Sequence, residues 1–230
     1  MSNLRKLPPN HEPLKETPFN HLPLGSIRPE GWLLNQLEVQ AAGLTGHLDE
    51  IWPDCGLNSG WLGGTGESWE RGPYYCDGLI PLAYVLDDPY LIAKAQRWVD
   101  WTLNSQQPSG QFGPTNNLDW WPRMIMLKVL ANYYEATGDK RVLNFMDRYF
   151  RYQLEKLKAR PLDKWGEARG AENILVIHWF YNITGHAYLL DLASLVFEQT
   201  TDWASIYTSL ERASEVRGEF ALLDHVVNTT

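Results

Sequence analysis

DWWPRMIMLKVLANYYEATGDKRVLNFMDRYFRYQLEKL, residues Asp119 to Leu157, is the stretch whose reading decides the fold. Asp119 can cap a helix whose first turn accepts Pro122, because the N–H that proline lacks has no helical partner there. From Met124 to Tyr134 the side chains are apolar nearly all round, broken by Lys128 and Asn132, the pattern of a helix surrounded by protein. Thr137-Gly138-Asp139 stops it, with Gly138 free to take the left-handed cap conformation. Beyond the stop, Val142, Met146, Tyr149 and Gln153 alternate with Arg141, Asp147, Arg148 and Arg151, so the next helix has one wet face. An inner helix buried all round, joined to an outer helix buried on one side, must pack beside further copies of the same unit.

Those copies are in the sequence. Tyr84-Val-Leu-Asp-Asp88, Tyr134-Glu-Ala-Thr-Gly138 and Tyr181-Asn-Ile-Thr-Gly185 place their tyrosines 50 and 47 residues apart. Each ends an apolar run (Leu79 to Tyr84, Met124 to Tyr134, Ile174 to Tyr181). Each precedes an amphipathic helix (Pro89 to Leu103, Lys140 to Leu157, Ala187 to Gln199). A period of this size marks a helical repeat, longer than the roughly 34-residue tetratricopeptide unit. Inner helices with almost no polar face argue for a ring closed on a filled centre. The expected fold is all-α, an α/α toroid of helical hairpins.

A net charge of −8 and a pI near 5.2 argue against nucleic acid and anionic membranes as partners. No stretch approaches the length of a membrane span, and no apolar run of signal-peptide length follows the start, which points to a cytoplasmic protein. The sequence sets no oligomeric state. Eleven Trp and eleven Tyr are the compositional anomaly. They serve either as core packing in a large helical ring or as a surface on which sugar rings stack.

Residues 1–22, with their prolines and mixed charge, read as a flexible N-terminal segment, and 23–230 as part of a helical-ring domain. Leu33 to Leu44 reads as an amphipathic helix ended by Gly43-Leu-Thr-Gly46. Residues 47–72 are rich in Gly, Trp and acids without periodicity, which in a compact domain points to a binding role. Tyr74 to Leu103 forms the first hairpin, with Pro81 expected to kink its inner helix. Cys55 and Cys76 have no metal-ligand spacing, and a disulfide is not expected.

The repeat allows position to be argued. A polar and aromatic cluster precedes or opens each inner helix: Gly66-Glu-Ser-Trp-Glu-Arg71, Asn116-Asn-Leu-Asp-Trp-Trp121, Ala168-Arg-Gly-Ala-Glu-Asn173 and Leu223-Asp-His-Val-Val-Asn228. Trp69, Trp120, Gly170 and His225 are spaced 51, 50 and 55 residues apart. Inner helices of such a ring run parallel, so these clusters should converge on one mouth, where helix N-termini favour hydroxyl-rich or anionic ligands. The expected substrate contacts are His225, Glu67, Trp69, Asp119, Trp120, Arg169 and Glu172. Glu67, Glu70, Asp119, Glu172 and Asp224 are carboxylates for acid–base work or helix caps. Arg123 and Arg169 either hold ligand hydroxyls or pair with acids, and His178 reads as a satisfied core histidine.

Several of these motifs carry a resemblance. Pro23-Leu-Gly-Ser-Ile-Arg-Pro-Glu-Gly-Trp-Leu33, Gln106-Gln-Pro-Ser-Gly-Gln-Phe-Gly-Pro114, Trp121-Pro-Arg-Met-Ile-Met-Leu-Lys-Val-Leu-Ala-Asn-Tyr-Tyr-Glu-Ala-Thr-Gly138 and the Tyr181 repeat are similar to the N-terminal half of family-127 glycoside hydrolases. These are the β-L-arabinofuranosidase-like proteins with an (α/α)6 barrel. The resemblance implies a retaining glycosidase with a carbohydrate substrate, a zinc-bound cysteine thiolate as nucleophile and a glutamate as acid and base, all from the later part of the barrel. Cys55 and Cys76 lie too far upstream to inherit those roles. Zinc is thus expected in the full-length protein and not on these 230 residues, and no catalytic residue is expected within them. Two histidines of the family's sugar pocket correspond to Ile125 and Gly170 here, and His225 falls where a sugar-contacting histidine does.

Six hairpins of this period need about 300 residues. The chain is therefore expected to be roughly the first half of the barrel, truncated and inactive alone. Two alternatives stand beside it. One is another α/α-toroid sugar enzyme of the unsaturated glucuronyl hydrolase or lyase type; the other is a non-catalytic glycan-binding scaffold.

Overall fold

The computed structural model describes residues 7–208, and among them every regular element is helical. Three hairpins follow one another. Inner helix α3 (Arg71–Leu86) pairs with outer α4 (Pro89–Asn104), α5 (Trp121–Thr137) with α6 (Arg141–Lys156), and α8 (Gly170–Thr184) with α9 (Tyr188–Gln199). The inner helix α5 packs between α3 and α8, while α6 bridges α4 and α9 in the outer layer. This is the expected α/α toroid, present as consecutive hairpins. No described helix is long and apolar enough to cross a membrane.

Burial follows the sequence pattern closely. Met124, Ile125, Met126, Leu127, Val129 and Leu130 are all 2% exposed or less. Burying each such side chain stabilises the fold by roughly 1.5–3 kcal/mol. Lys128 interrupts the run because its Nζ meets Asp77 Oδ2 of α3 at 2.7 Å. Outer α6 buries Val142, Phe145, Met146, Tyr149, Phe150 and Gln153 and leaves its arginines wet. Gly138 (φ 69°) and Gly185 (φ 69°) cap α5 and α8 in the left-handed region. The first hairpin has Asp87 (φ 58°) in that role, one residue earlier than the repeat alignment placed it. Asp88 then caps α4, accepting from Tyr90 N at 2.8 Å and Leu91 N at 3.1 Å, with Pro89 at the first helical position.

Three expectations need correction before the hairpins begin. The helix read as Leu33 to Leu44 spans Gly31–Ala42 (α1), and it buries none of its residues: Trp32 is 79% exposed. Gly43-Leu-Thr-Gly46 does not end helical structure; it turns the chain into a second helix, α2 (Leu44–Ile51). A Cβ on Gly46 would lie 1.7 Å from the Ala41 carbonyl oxygen, so glycine is what lets α2 fold onto α1. The stretch 47–72 accordingly begins as helix and continues through short 3-10 turns at Pro53–Cys55 and Gly60–Leu62.

The N-terminal segment, expected as a flexible lead-in, is pinned across the inner helices. Among its described residues it carries no helix before Gly31, but it visits the C-terminal ends of α8, α5 and α3 in that order, the reverse of their order in the chain. On α8, Asn182 accepts from His11 N at 3.0 Å and donates to Asn10 Oδ1 at 2.8 Å, while the Tyr181 hydroxyl donates to the Glu12 carbonyl. On α5, the Glu135 carboxylate accepts from Leu24 N at 3.3 Å and lies 3.2 Å from His21 Nε2. On α3, Arg28 donates to the carbonyls of Tyr84 (3.0 Å) and Val85 (2.7 Å). The segment thus gives the exposed carbonyls and side chains at these helix ends their partners.

Candidate functional site

At the opposite, N-terminal ends of α3, α5 and α8 the three described polar clusters meet. Glu67 accepts from Trp69 N (2.9 Å), Glu70 N (2.8 Å) and Arg71 N (3.2 Å), the unpaired donors at the start of α3. Asp119 Oδ2 accepts from the Trp69 indole at 2.7 Å, and its Oδ1 accepts from Trp121 N at 3.0 Å. One carboxylate therefore caps α5 and holds an aromatic of the neighbouring repeat. Asn117 adds a bond to the Ser68 carbonyl at 2.8 Å. Arg169 Nη1 meets Glu172 Oε1 at 3.3 Å on the first turn of α8.

Trp121 is the centre of this end. Trp69 and Tyr74 meet it edge-on with centroids 5.2 and 5.8 Å away, and Trp165 stacks on it at 5.1 Å and 22°. Trp165 comes from the five-residue helix α7 (Lys164–Ala168), which opens with Lys164 at φ 49°, a left-handed conformation unusual for lysine. The Arg169 guanidinium lies about as far from both rings, 5.9 Å from Trp165 and 6.0 Å from Trp121. Glu70, Tyr74, Trp121, Trp165, Arg169 and Glu172 together line an open pocket of about 480 Å³.

Burial perturbs the titratable groups of this pocket. Desolvation raises the pKa of Glu172, with Arg169 and Lys128 pulling the other way. Glu70 is raised by desolvation and by the neighbouring Glu67. Desolvation, helped by the Glu172 charge, pushes the Tyr74 hydroxyl up to about 12, so it remains a donor. The Trp121 indole N–H is buried and turned toward Glu172, favouring the charged carboxylate against the desolvation. Perturbed carboxyls, an aromatic platform and a guanidinium in one cleft are the physical marks of a binding site.

Not every expected contact is here. Trp120 faces the other way: it is fully buried, its indole donates to the Arg160 carbonyl at 3.2 Å, and the Arg160 guanidinium covers its ring at 3.8 Å. Of the tandem tryptophans it is Trp121, one position further round the helix, that reaches the pocket. Glu67 and Asp119 are not part of this lining: they hold backbone N–H groups and Trp69, and Asp119 borders a separate open cleft beside Arg160 and Lys164. Arg123 neither holds a ligand nor pairs with an acid. It is 1% exposed and donates to the carbonyls of Phe112, Pro114, Asn117 and Asp119.

His225 and Asp224 lie outside the described residues. His178, expected as a satisfied core histidine, is half-buried at a cavity under the N-terminal segment, and desolvation lowers its pKa. Ile125 is core, and a Cβ on Gly170 would strike Thr200 Oγ1 at 1.9 Å, so neither position offers the pocket a side chain. Three lining residues were missed: Trp121, its neighbour Trp120 having been expected in its place, Tyr74 and Trp165. Tyr74 was legible, since it sits four residues after Glu70 on one face of a helix. Trp165 was not, because it lies in an aperiodic link outside the repeat.

The cysteines do not fit a zinc-thiolate centre. Cys55 and Cys76 are 1% and 0% exposed in the apolar core. Burial pushes the Cys55 thiol up to about 11, and Cys76 well above the ordinary value, which favours neutral thiols over metal-binding thiolates. Among the described residues no group of three or more His, Cys, Asp or Glu is arranged to hold a metal ion.

No curated protein and no solved structure matches the chain. The model of the β-L-arabinofuranosidase, GH127 catalytic domain matches residues 34–214, a span that holds all three hairpins and the whole pocket. With the helical ring and the converging clusters already in place, this match over most of the chain makes it a member of the GH127 β-L-arabinofuranosidase catalytic-domain family.

Proposed function

We propose that this chain supplies the sugar-holding mouth of a retaining glycoside hydrolase that removes a terminal sugar such as an L-arabinofuranoside. The observation that carries the reading is the pocket at the N-terminal ends of α3, α5 and α8. Trp165 stacked on Trp121 offers a platform for the apolar face of a furanose ring. Glu70 and Glu172 supply acceptors for ring hydroxyls, while Arg169 and Tyr74 supply donors. In this family a zinc-bound thiolate performs the displacement. The described residues do not fit that group, so their part is to bind and orient the sugar. The thiolate and the metal ligands are expected from residues other than these.

The test is a fluorescence titration of the full chain with methyl β-L-arabinofuranoside, repeated on Trp165→Ala. Saturable quenching in the wild type, weakened at least about tenfold by the loss of one stacking face, supports the reading. No saturable response in the wild type, or an affinity unchanged in Trp165→Ala, overturns it. The second reading is a glycan-binding scaffold without catalysis, favoured by two buried cysteines that are poor nucleophiles. It predicts the same binding, and no hydrolysis of aryl L-arabinofuranosides by the zinc-supplemented full-length protein.

A further inference from the structure

The pocket holds an uneven set of charges, and the sugar-binding reading above does not by itself use it. Among the described residues its lining has two carboxyls, Glu70 and Glu172, and the guanidinium of Arg169, which Glu172 engages at 3.3 Å. Outside the lining stand two more carboxylates, Glu67 and Asp119, both occupied with backbone N–H groups. Other charges close to the lining pair off: Arg71 with Asp54, and Lys128 with Asp77 at 2.7 Å. Among the described residues the balance facing open space is therefore negative when all carboxyls are ionised.

We propose that Glu70 and Glu172 form a charge fence that admits neutral sugars to this pocket and turns acidic sugars away. The inference rests on the pocket being a sugar site and adds the class of sugar that enters. A hydroxyl both donates and accepts, so it can satisfy a carboxylate on one side and accept from Tyr74 or Arg169 on the other. A ligand carboxylate only accepts. It could use Tyr74 or Arg169, but it would leave Glu70 facing a like charge and would have to displace Glu172 from Arg169.

The fence is also proton-dependent. Glu70 and Glu172 are both partly desolvated and titrate above ordinary glutamates. Acid therefore neutralises them earlier than ordinary glutamates while Arg169 keeps its charge, and the pocket becomes less negative as pH falls. The groups facing this change are Glu70, Tyr74 and Asp77 from α3, Lys128 from α5, and Arg169 and Glu172 at the start of α8. Glu67, Arg71 and Asp119 lie outside the lining.

The experiment uses the full chain and two probes that share one ring: methyl L-arabinofuranoside and the corresponding uronate, in which the CH2OH is a carboxylate. Affinities are read by tryptophan quenching at pH 7.5 and pH 5, where the uronate remains ionised. The expected result is a preference of at least about tenfold for the neutral sugar at pH 7.5, as a like-charge contact demands. That preference should shrink at pH 5 and fall to within about threefold in Glu70→Gln/Glu172→Gln at pH 7.5.

Equal affinities at pH 7.5 would overturn the fence while leaving the sugar site standing. A preference that neither acid nor the double substitution reduces would also overturn it, because its origin would then be shape. If the variant fails to fold, the wild-type pH comparison decides alone. Binding of neither probe removes the fence together with the sugar-site reading beneath it.

Discussion

Arg123 offers the sharpest test of how the pocket is held. The side chain is 1% exposed and forms charge-assisted bonds to Phe112 O (2.8 Å), Asp119 O (2.7 Å), Asn117 O (2.7 Å) and Pro114 O (3.2 Å). These carbonyls belong to the link that delivers Asn117, Asp119 and Trp121 to the pocket. Arg123→Met keeps the apolar stem and removes the fork. Leaving four buried carbonyls unpaired costs on the order of 1 kcal/mol or more each, about 4 kcal/mol together. Against this, the variant no longer buries a charge, whose desolvation costs several kcal/mol and already lowers the pKa of Arg123. The net loss should be about 2–4 kcal/mol, a large part of the roughly 5–15 kcal/mol typical of a whole domain. In urea, with a slope of about 2 kcal/mol per molar, the midpoint falls by about 1–2 M. Tryptophan fluorescence reads it directly, and near-ultraviolet circular dichroism should lose the Trp69–Trp121–Trp165 signal at urea concentrations below the transition. A midpoint that moves by less than about 0.25 M would show that this link does not depend on the guanidinium.

Other outcomes follow from single positions. Asp87→Gly should stabilise the chain by about 0.5–1 kcal/mol, since φ 58° suits glycine and the Arg28–Asp87 contact it removes is long and exposed; a lower melting temperature would refute this. Gly138→Ala at φ 69° should instead cost about 1–2 kcal/mol, measured by the same melts. The Glu172 pKa is raised in the folded chain above the ordinary glutamate value of 4.5, so there is a pH range in which the folded state holds a proton that the unfolded state releases. Its relative contribution is fully present below about 4.5 and is lost as pH rises through the folded value. Glu172→Gln should therefore raise stability at pH 7 relative to wild type and flatten the decline between pH 4 and 7; an unchanged pH profile of the melting temperature argues against it. Glu135→Leu leaves the Leu24 N–H, the Trp179 indole and His21 without their shared acceptor, and should expose residues 7–24 to faster hydrogen exchange while α5 stays protected.

The local pattern of residues was enough to settle the hairpins. Helix periodicity, the Gly138 and Gly185 stops and the 50-residue recurrence depend on neighbours in sequence; each outer helix appears within about one residue of its expected limits, while the inner helices run beyond their apolar runs at both ends. That Glu67, Trp69, Asp119, Arg169 and Glu172 share one end also follows from the repeat, because equivalent positions on parallel helices lie at equivalent heights. Which way each side chain faces at that end is a tertiary matter. Trp120 and Trp121 are adjacent in sequence, yet a turn of roughly 100° per residue sends one under Arg160 and the other into the pocket. Arg123 resembles a ligand-binding arginine until the 105–120 link wraps four carbonyls around it. The course of residues 7–28 across three helix ends has no periodic signature at all, since it is written in single contacts to carbonyls and carboxylates far away in the chain. Periodicity records which face of an element is dry, whereas contacts between distant segments depend on where the packed helices leave unpaired donors and acceptors, and only the assembled structure determines that.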